Sequence, residues 1–222
     1  MKIKLATVKC IMCKEESEQQ ILYSNSIFGK PDLDMRPSGS KASPAAGIQE
    51  CPHCHYCNYD LTQYLEETYK TAKAPLTLWV SDENIRNIIE NEPDDDARKC
   101  MIMAQQSMNN EDFDATRNML IRAYWCTSFE DQKIQYRNDF IEVFEYYSIE
   151  NEIKKYIQLS DVLRQAGEFE KAQNYLNTAK SIFKNLPIET SVESTTFFEE
   201  CFDFEEELIN DKDVKSHNLS EY

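Results

Sequence analysis

Val8-Lys-Cys10-Ile-Met-Cys13 and Ile48-Gln-Glu-Cys51-Pro-His-Cys54-His-Tyr56-Cys57 are the stretches on which the fold of this chain turns. Each contains a Cys-x-x-Cys pair, the spacing at which two thiolates leave one tight turn and grip the same ion. Two such pairs supply the four ligands of a tetrahedral zinc, so Cys10, Cys13, Cys51 and Cys54 are the expected metal ligands. A site closed by four sulfurs leaves no position for water or substrate, and its expected role is structural. Iron accepts the same donor set; zinc is preferred because nothing in the sequence marks electron transfer. His53, His55 and Cys57 lie close enough in sequence for one of them to replace a ligand, but the exact pairing favours the four cysteines. Glycine usually follows the second cysteine of such a knuckle; here Lys14 and His55 stand there.

Outward from the knuckles, Lys2 to Cys10 alternates as a strand leading into the first pair. The 37 residues between the pairs include Gly29, Pro31, Pro37, Gly39, Pro44 and Gly47, which reads as a loop. Residues 1–60 therefore form a small zinc-ribbon-like β domain with an inserted loop, too small to hold together without its metal. Residues 61–80 read as a connector carrying the β-prone run Leu76-Thr-Leu-Trp79-Val. From 81 to 210 apolar residues recur at helical intervals. Starts are expected at Ser81 or Asp82 and at Glu92-Pro93-Asp, and further helices over 112–127, 131–148, 150–166, 168–185 and 194–210. Phe197, Cys201, Phe204 and Leu208 make a packing stripe on the last of these. Residues 211–222 read as a frayed tail. The fold class is α+β, mainly α.

Residues 153–187 resemble a tetratricopeptide unit. Tyr156, Leu159, Ser160 and Leu163 fall on a first helix, Gly167 sits at the turn, and Ala172, Leu176 and Ala179 fall on a second. Residues 97–127 are a poorer copy, with Glu111 in place of the glycine.

Composition narrows the function. Residues 1–60 carry seven Lys/Arg and seven Asp/Glu, whereas residues 61–222 carry 17 and 33, so the net charge of −16 belongs entirely to the second part. Such a surface repels phosphate backbones and suits a basic protein or peptide. Met1-Lys-Ile-Lys-Leu5 is too short and charged for a signal sequence, and no stretch approaches a membrane span, so a cytoplasmic location is expected. Cys100, Cys126 and Cys201, scattered through helical sequence, read as small apolar filler. There is no glycine-rich phosphate loop or nucleophile elbow, and of the three histidines only His217 lies outside the second knuckle.

The knuckle sequences, with Ser24-Asn-Ser-Ile-Phe-Gly29-Lys-Pro-Asp32-Leu-Asp34-Met-Arg36-Pro37 between them and Glu206-Glu-Leu208-Ile-Asn-Asp-Lys-Asp213 followed by His217 near the end, resemble a bacterial family described as domain of unknown function 2225. The resemblance implies a four-cysteine metal site joined to tetratricopeptide-like hairpins, and no established activity. The expected function is a non-enzymatic adaptor that binds a protein or peptide through its acidic helices. The alternatives are a nucleic-acid-associated regulator acting through the zinc domain, and a metal or thiol enzyme.

Overall fold

A computed structural model describes residues 2–24, 29–37, 43–64, 82–147, 152–185, 192–220 and 222, with backbone alone at 192–194. From residue 65 onward the expected connector, including Leu76-Thr-Leu-Trp79-Val, lies outside the described residues. The elements are β1 (Lys2–Lys9), β2 (Glu16–Ser24), β3 (Gln49–Glu50) and β4 (Cys57–Asn58), then α1 (Glu83–Asn91), α2 (Asp95–Asn109), α3 (Phe113–Cys126), α4 (Glu130–Tyr146), α5 (Ile153–Gln165), α6 (Phe169–Lys184) and α7 (Val192–Asn210). The protein is mainly helical, with its antiparallel strand pairs near the N-terminus.

Two compact units emerge: Met1–Ser26 with Lys41–Val143, and Ile27–Ser40 with Phe144–Tyr222. The division does not follow the expected boundary at residue 60. The second knuckle makes polar ties to α2, described below, so β-hairpins and first helices share one unit.

In the first unit β1 pairs antiparallel with β2 from Lys9↔Glu16 to Lys2↔Ser24, with one irregularity at Lys2/Ile3. Nothing in the sequence reading anticipated β2, because Glu16-Ser-Glu-Gln-Gln20 is polar throughout. A two-stranded ribbon of this kind is marginal alone in water and must be held at one end. The first helices begin at side-chain caps. Asp82 accepts the N–H groups of Asn84 and Ile85, Asp94 those of Asp96 and Ala97, and Asp112 that of Ala115. Asp94 starts α2, so Pro93 precedes the cap instead of opening the helix. Helix α2 packs on α1 and α3 through buried Ile85, Ala97, Ile102, Met103, Leu120 and Ala123.

The second unit packs α5 on α6 and both on α7. Small residues permit the α5–α6 approach: Ser160, Ala172 and Ala179 are fully buried, and Ser160 Oγ lies 3.0 Å from the Ala172 carbonyl oxygen. On α7 the stripe residues Cys201, Phe204 and Leu208 are buried in this unit. Residues 211–220 are not a frayed tail. Leu219 is buried and its N–H donates to the Pro31 carbonyl at 3.2 Å, while Asn218 bridges to Asp32. Local composition there is polar, and only the partners within the unit order it.

The two helical hairpins turn in the same way. At Gly167 (φ +80°) its N–H donates to the Arg164 carbonyl and that of Glu168 to Leu163. At Glu111 (φ +59°) its N–H donates to Met108 and that of Asp112 to Ser107. This ending places one residue in the left-handed region, which costs a side-chain-bearing residue about 1–2 kcal/mol. Glu111→Gly is therefore expected to raise stability by about 1 kcal/mol, and Gly167→Ala to lower it by a similar amount although the space there is open. Urea unfolding of the two variants checks both signs.

Candidate metal centre

Both knuckles are the tips of short hairpins. Lys9↔Glu16 closes the loop from Cys10 to Glu15, and Glu50↔Cys57 closes the loop from Cys51 to Tyr56. Their backbones repeat one pattern. The Cys10 N–H donates to the Glu15 carbonyl (2.9 Å) and the Lys14 N–H to the Cys10 carbonyl (2.9 Å); Cys51 with Tyr56 and His55 with Cys51 do the same at 2.9 and 2.8 Å. Lys14 (φ +66°) and His55 (φ +57°) adopt the left-handed conformation for which glycine is usual, so the turns form without it.

These turns bring all four sequence-predicted ligands together. The Sγ atoms of Cys10, Cys13, Cys51 and Cys54 lie within 4.8 Å of one another, close enough to hold a metal ion. Cys10 faces Cys54 at 3.7 Å and Cys13 faces Cys51 at 3.5 Å. A tetrahedral ion with bonds of about 2.3 Å spaces its sulfurs by about 3.8 Å, whereas a disulfide would need about 2.05 Å, so the separations suit a shared ion and not a cross-link. Burial pushes the Cys51 thiol up to about 11, and burial with the neighbouring sulfurs raises Cys54 further. Cys13, despite the upward push of burial, is held below its ordinary value by hydrogen bonds from the Glu15 backbone and the other three sulfurs. Four sulfurs packed this closely need a cation to ionise together, which is the chemistry of a metal-thiolate site.

The other candidates stand outside the cluster. His53 Nε2 lies 3.4 Å from the Glu16 carbonyl oxygen, His55 Nδ1 lies 2.7 Å from Glu50 Oε1, and the buried Cys57 thiol donates to the His55 carbonyl at 3.6 Å. Burial also raises the Cys57 thiol well above its usual value, which suppresses the nucleophilic thiolate.

Sequence reasoning missed the support behind the second knuckle. Glu50, next to Cys51, accepts Arg98 NH2 of α2 at 3.0 Å, and Arg98 NH1 reaches Asp95 at 2.7 Å. The fully buried Gln106 amide pairs with the backbone of Cys57: Nε2 donates to its carbonyl at 3.1 Å and Oε1 accepts its N–H at 3.4 Å. A glutamine at a helix position that turns inward is the one local signal that could have suggested this contact. A cleft of about 610 Å³ opens beside the knuckle, with Glu50, His55, Arg98 and Lys99 on its wall. Both of its cations are matched by carboxylates, Lys99 pairing with Asp96 at 3.2 Å, and with Glu18 and Asp95 also on the wall the lining carries more carboxylates than cations.

No helix among the described residues is long and apolar enough to cross a membrane. No protein-family model, curated protein or solved structure matches this chain.

Proposed function

We propose that this chain is a structural-zinc protein acting as a non-enzymatic adaptor in the cytoplasm. In this reading a zinc-ribbon-like arrangement of knuckles is fastened by zinc on Cys10, Cys13, Cys51 and Cys54, and tetratricopeptide-like hairpins bind a protein or peptide. The observation that carries the metal assignment is the convergence of four sulfurs within 4.8 Å. Zinc suits four thiolates in a closed tetrahedral set, and it would supply the cross-link that short hairpins lack. The resemblance to domain of unknown function 2225 points to the same pairing of a four-cysteine site with helical hairpins. The charge of residues 61–222, 17 Lys/Arg against 33 Asp/Glu, supports a basic partner.

Freshly purified, reduced protein is expected to contain one zinc per chain by elemental analysis, and metal-free protein would overturn the assignment. Loading should release protons, because burial keeps thiols such as Cys51 protonated in the absence of metal. Affinity should therefore fall by more than about tenfold per pH unit on acidification. Affinity purification after nuclease treatment tests the adaptor role. A retained partner whose binding weakens with salt, over a Debye length of about 10 Å at 0.1 M, supports it; loss of every partner to nuclease overturns it.

A further inference from the structure

The second unit buries three ionisable side chains in contact. Arg164 and Asp161 of α5 and Glu205 of α7 have side chains that are 0%, 1% and 0% exposed. One guanidinium faces two carboxyl groups, so full ionisation would leave an uncompensated negative charge in the core, an arrangement proteins avoid by neutralising a group.

The hydrogen bonds identify that group. Both oxygens of Asp161 accept from groups that can only donate there, Oδ1 from Arg164 NH2 and Oδ2 from the Gln165 amide. Burial pushes the Asp161 carboxyl up, but Arg164, Gln165 and a hydrogen bond from Glu205 all favour its charged form, so of the two acids Asp161 is the better stabilised as a carboxylate. Glu205 Oε2 accepts Arg164 Nε at 3.0 Å, while Oε1 lies 3.0 Å from Ser160 Oγ. The same hydroxyl lies 3.0 Å from the Ala172 carbonyl oxygen, which only accepts. Ser160 has one proton for two acceptors, so with Glu205 ionised only one of the two contacts is a full hydrogen bond, whereas a proton on Glu205 Oε1 satisfies both. The chain of donors then runs from Glu205 to Ser160 to the Ala172 carbonyl, with every group satisfied.

We propose that Glu205 keeps its proton in the folded protein at neutral pH, and that its ionisation in alkali opens the α5–α7 junction and the C-terminal segment secured there. Arg164 NH1 donates to the carbonyls of Asp213 and Lys215, so the guanidinium that would face the new charge is also the tie to that segment. The other titratable groups nearby are Cys201, one turn back on α7 and itself raised by burial, and the Asp213–His217 pair, whose imidazole packs on Phe204. From α6 the contact is the Ala172 carbonyl. Burial and the Asp161 charge raise Glu205 well above the usual carboxylate range, in agreement with the donor count.

The sign of the pH effect follows. Unfolded, Glu205 ionises near about 4.3, so the folded state holds one extra proton above that pH. Stability is complete below it and falls by up to about tenfold in the unfolding equilibrium per pH unit as the pH rises towards the folded value. Three measurements on the full chain test the proposal. Infrared spectra at pH 8 should show a protonated-carboxyl C=O band in the wild type; Asp139, raised to about 6 by burial, is ionised there and does not contribute. Glu205→Gln, which keeps an acceptor for Arg164 and a donor for Ser160, should lack the band and flatten the alkaline loss of stability. The ratio of tryptic cleavage at Lys212 and Lys215 in wild type to that in E205Q should grow as the pH rises. Absence of the band at pH 8 overturns the proposal even if E205Q does not fold, and so does an unchanged alkaline slope in E205Q.

Discussion

On the proposed zinc assignment, chelation or Cys51→Ser is expected to unfold the β-hairpins and to loosen α2 with them, while the unit containing α5–α7 keeps its structure. A structural zinc contributes roughly 10–16 kcal/mol to folding, more than the whole stability of many domains, and C51S removes one of the four proposed ligands. The sequence suggested that this loss would fall mainly on residues 1–60. The structure extends it, because Glu50 holds Arg98 and the backbone of Cys57 holds the buried amide of Gln106. When the knuckle opens, the buried Gln106 amide loses its partner, at about 1–3 kcal/mol if left unsatisfied, and the half-buried Arg98 keeps only Asp95. Amide hydrogen exchange with and without chelator resolves the question by segment. Protection should vanish over 2–24 and 43–58, fall in 95–109, and persist in 153–184. Unchanged exchange across α2 would show that the polar ties carry little energy. Equal loss in α5 and α6 would show that the units do not unfold separately.

Replacing Arg164 should be the most damaging single change in the second unit. Arg164→Met keeps the apolar stem but leaves Asp161 Oδ1 and the carbonyls of Asp213 and Lys215 without that donor and removes the counter-charge of Asp161. Breaking a buried ion pair from one side costs about 3–5 kcal/mol. Urea unfolding should show a loss of that size, with faster exchange at residues 211–219. Arg164→Lys should recover little. A point-charge ammonium has three donors and no planar fork, whereas Arg164 reaches Asp161, Glu205 and two carbonyls from three nitrogens. Full recovery by lysine would mean that charge alone matters and geometry does not. The result also bears on Glu205: without the guanidinium both acids should take protons, and the unfolding equilibrium should steepen with pH relative to wild type.

What could be read from the sequence was whatever a short window contains. The spacing in Cys10-Ile-Met-Cys13 and Cys51-Pro-His-Cys54 dictates that each pair converges, because two residues between thiols leave little other geometry for a metal-binding turn. Helix starts at Asp82, near Asp94 and at Asp112 were legible for the same local reason, since a carboxylate caps the N–H groups two and three residues ahead. Glu111 marks an intermediate case: the repeat pattern located the turn, but only the backbone revealed that a glutamate takes the left-handed conformation of Gly167. Tertiary structure alone decided the remainder. Gln106 meets Cys57 across 49 residues, Arg164 meets Glu205 across 41, and Leu219 meets Pro31 across 188. Polar residues carry no periodic signature of burial, and Arg164, Asp161 and Glu205 each read as solvated helix positions until partners were fixed in space. The strand β2 and the ordered segment 211–220 have the same origin: Glu16–Gln20 and most of 211–220 are polar, and what orders them is the elements of their own units against which they lie.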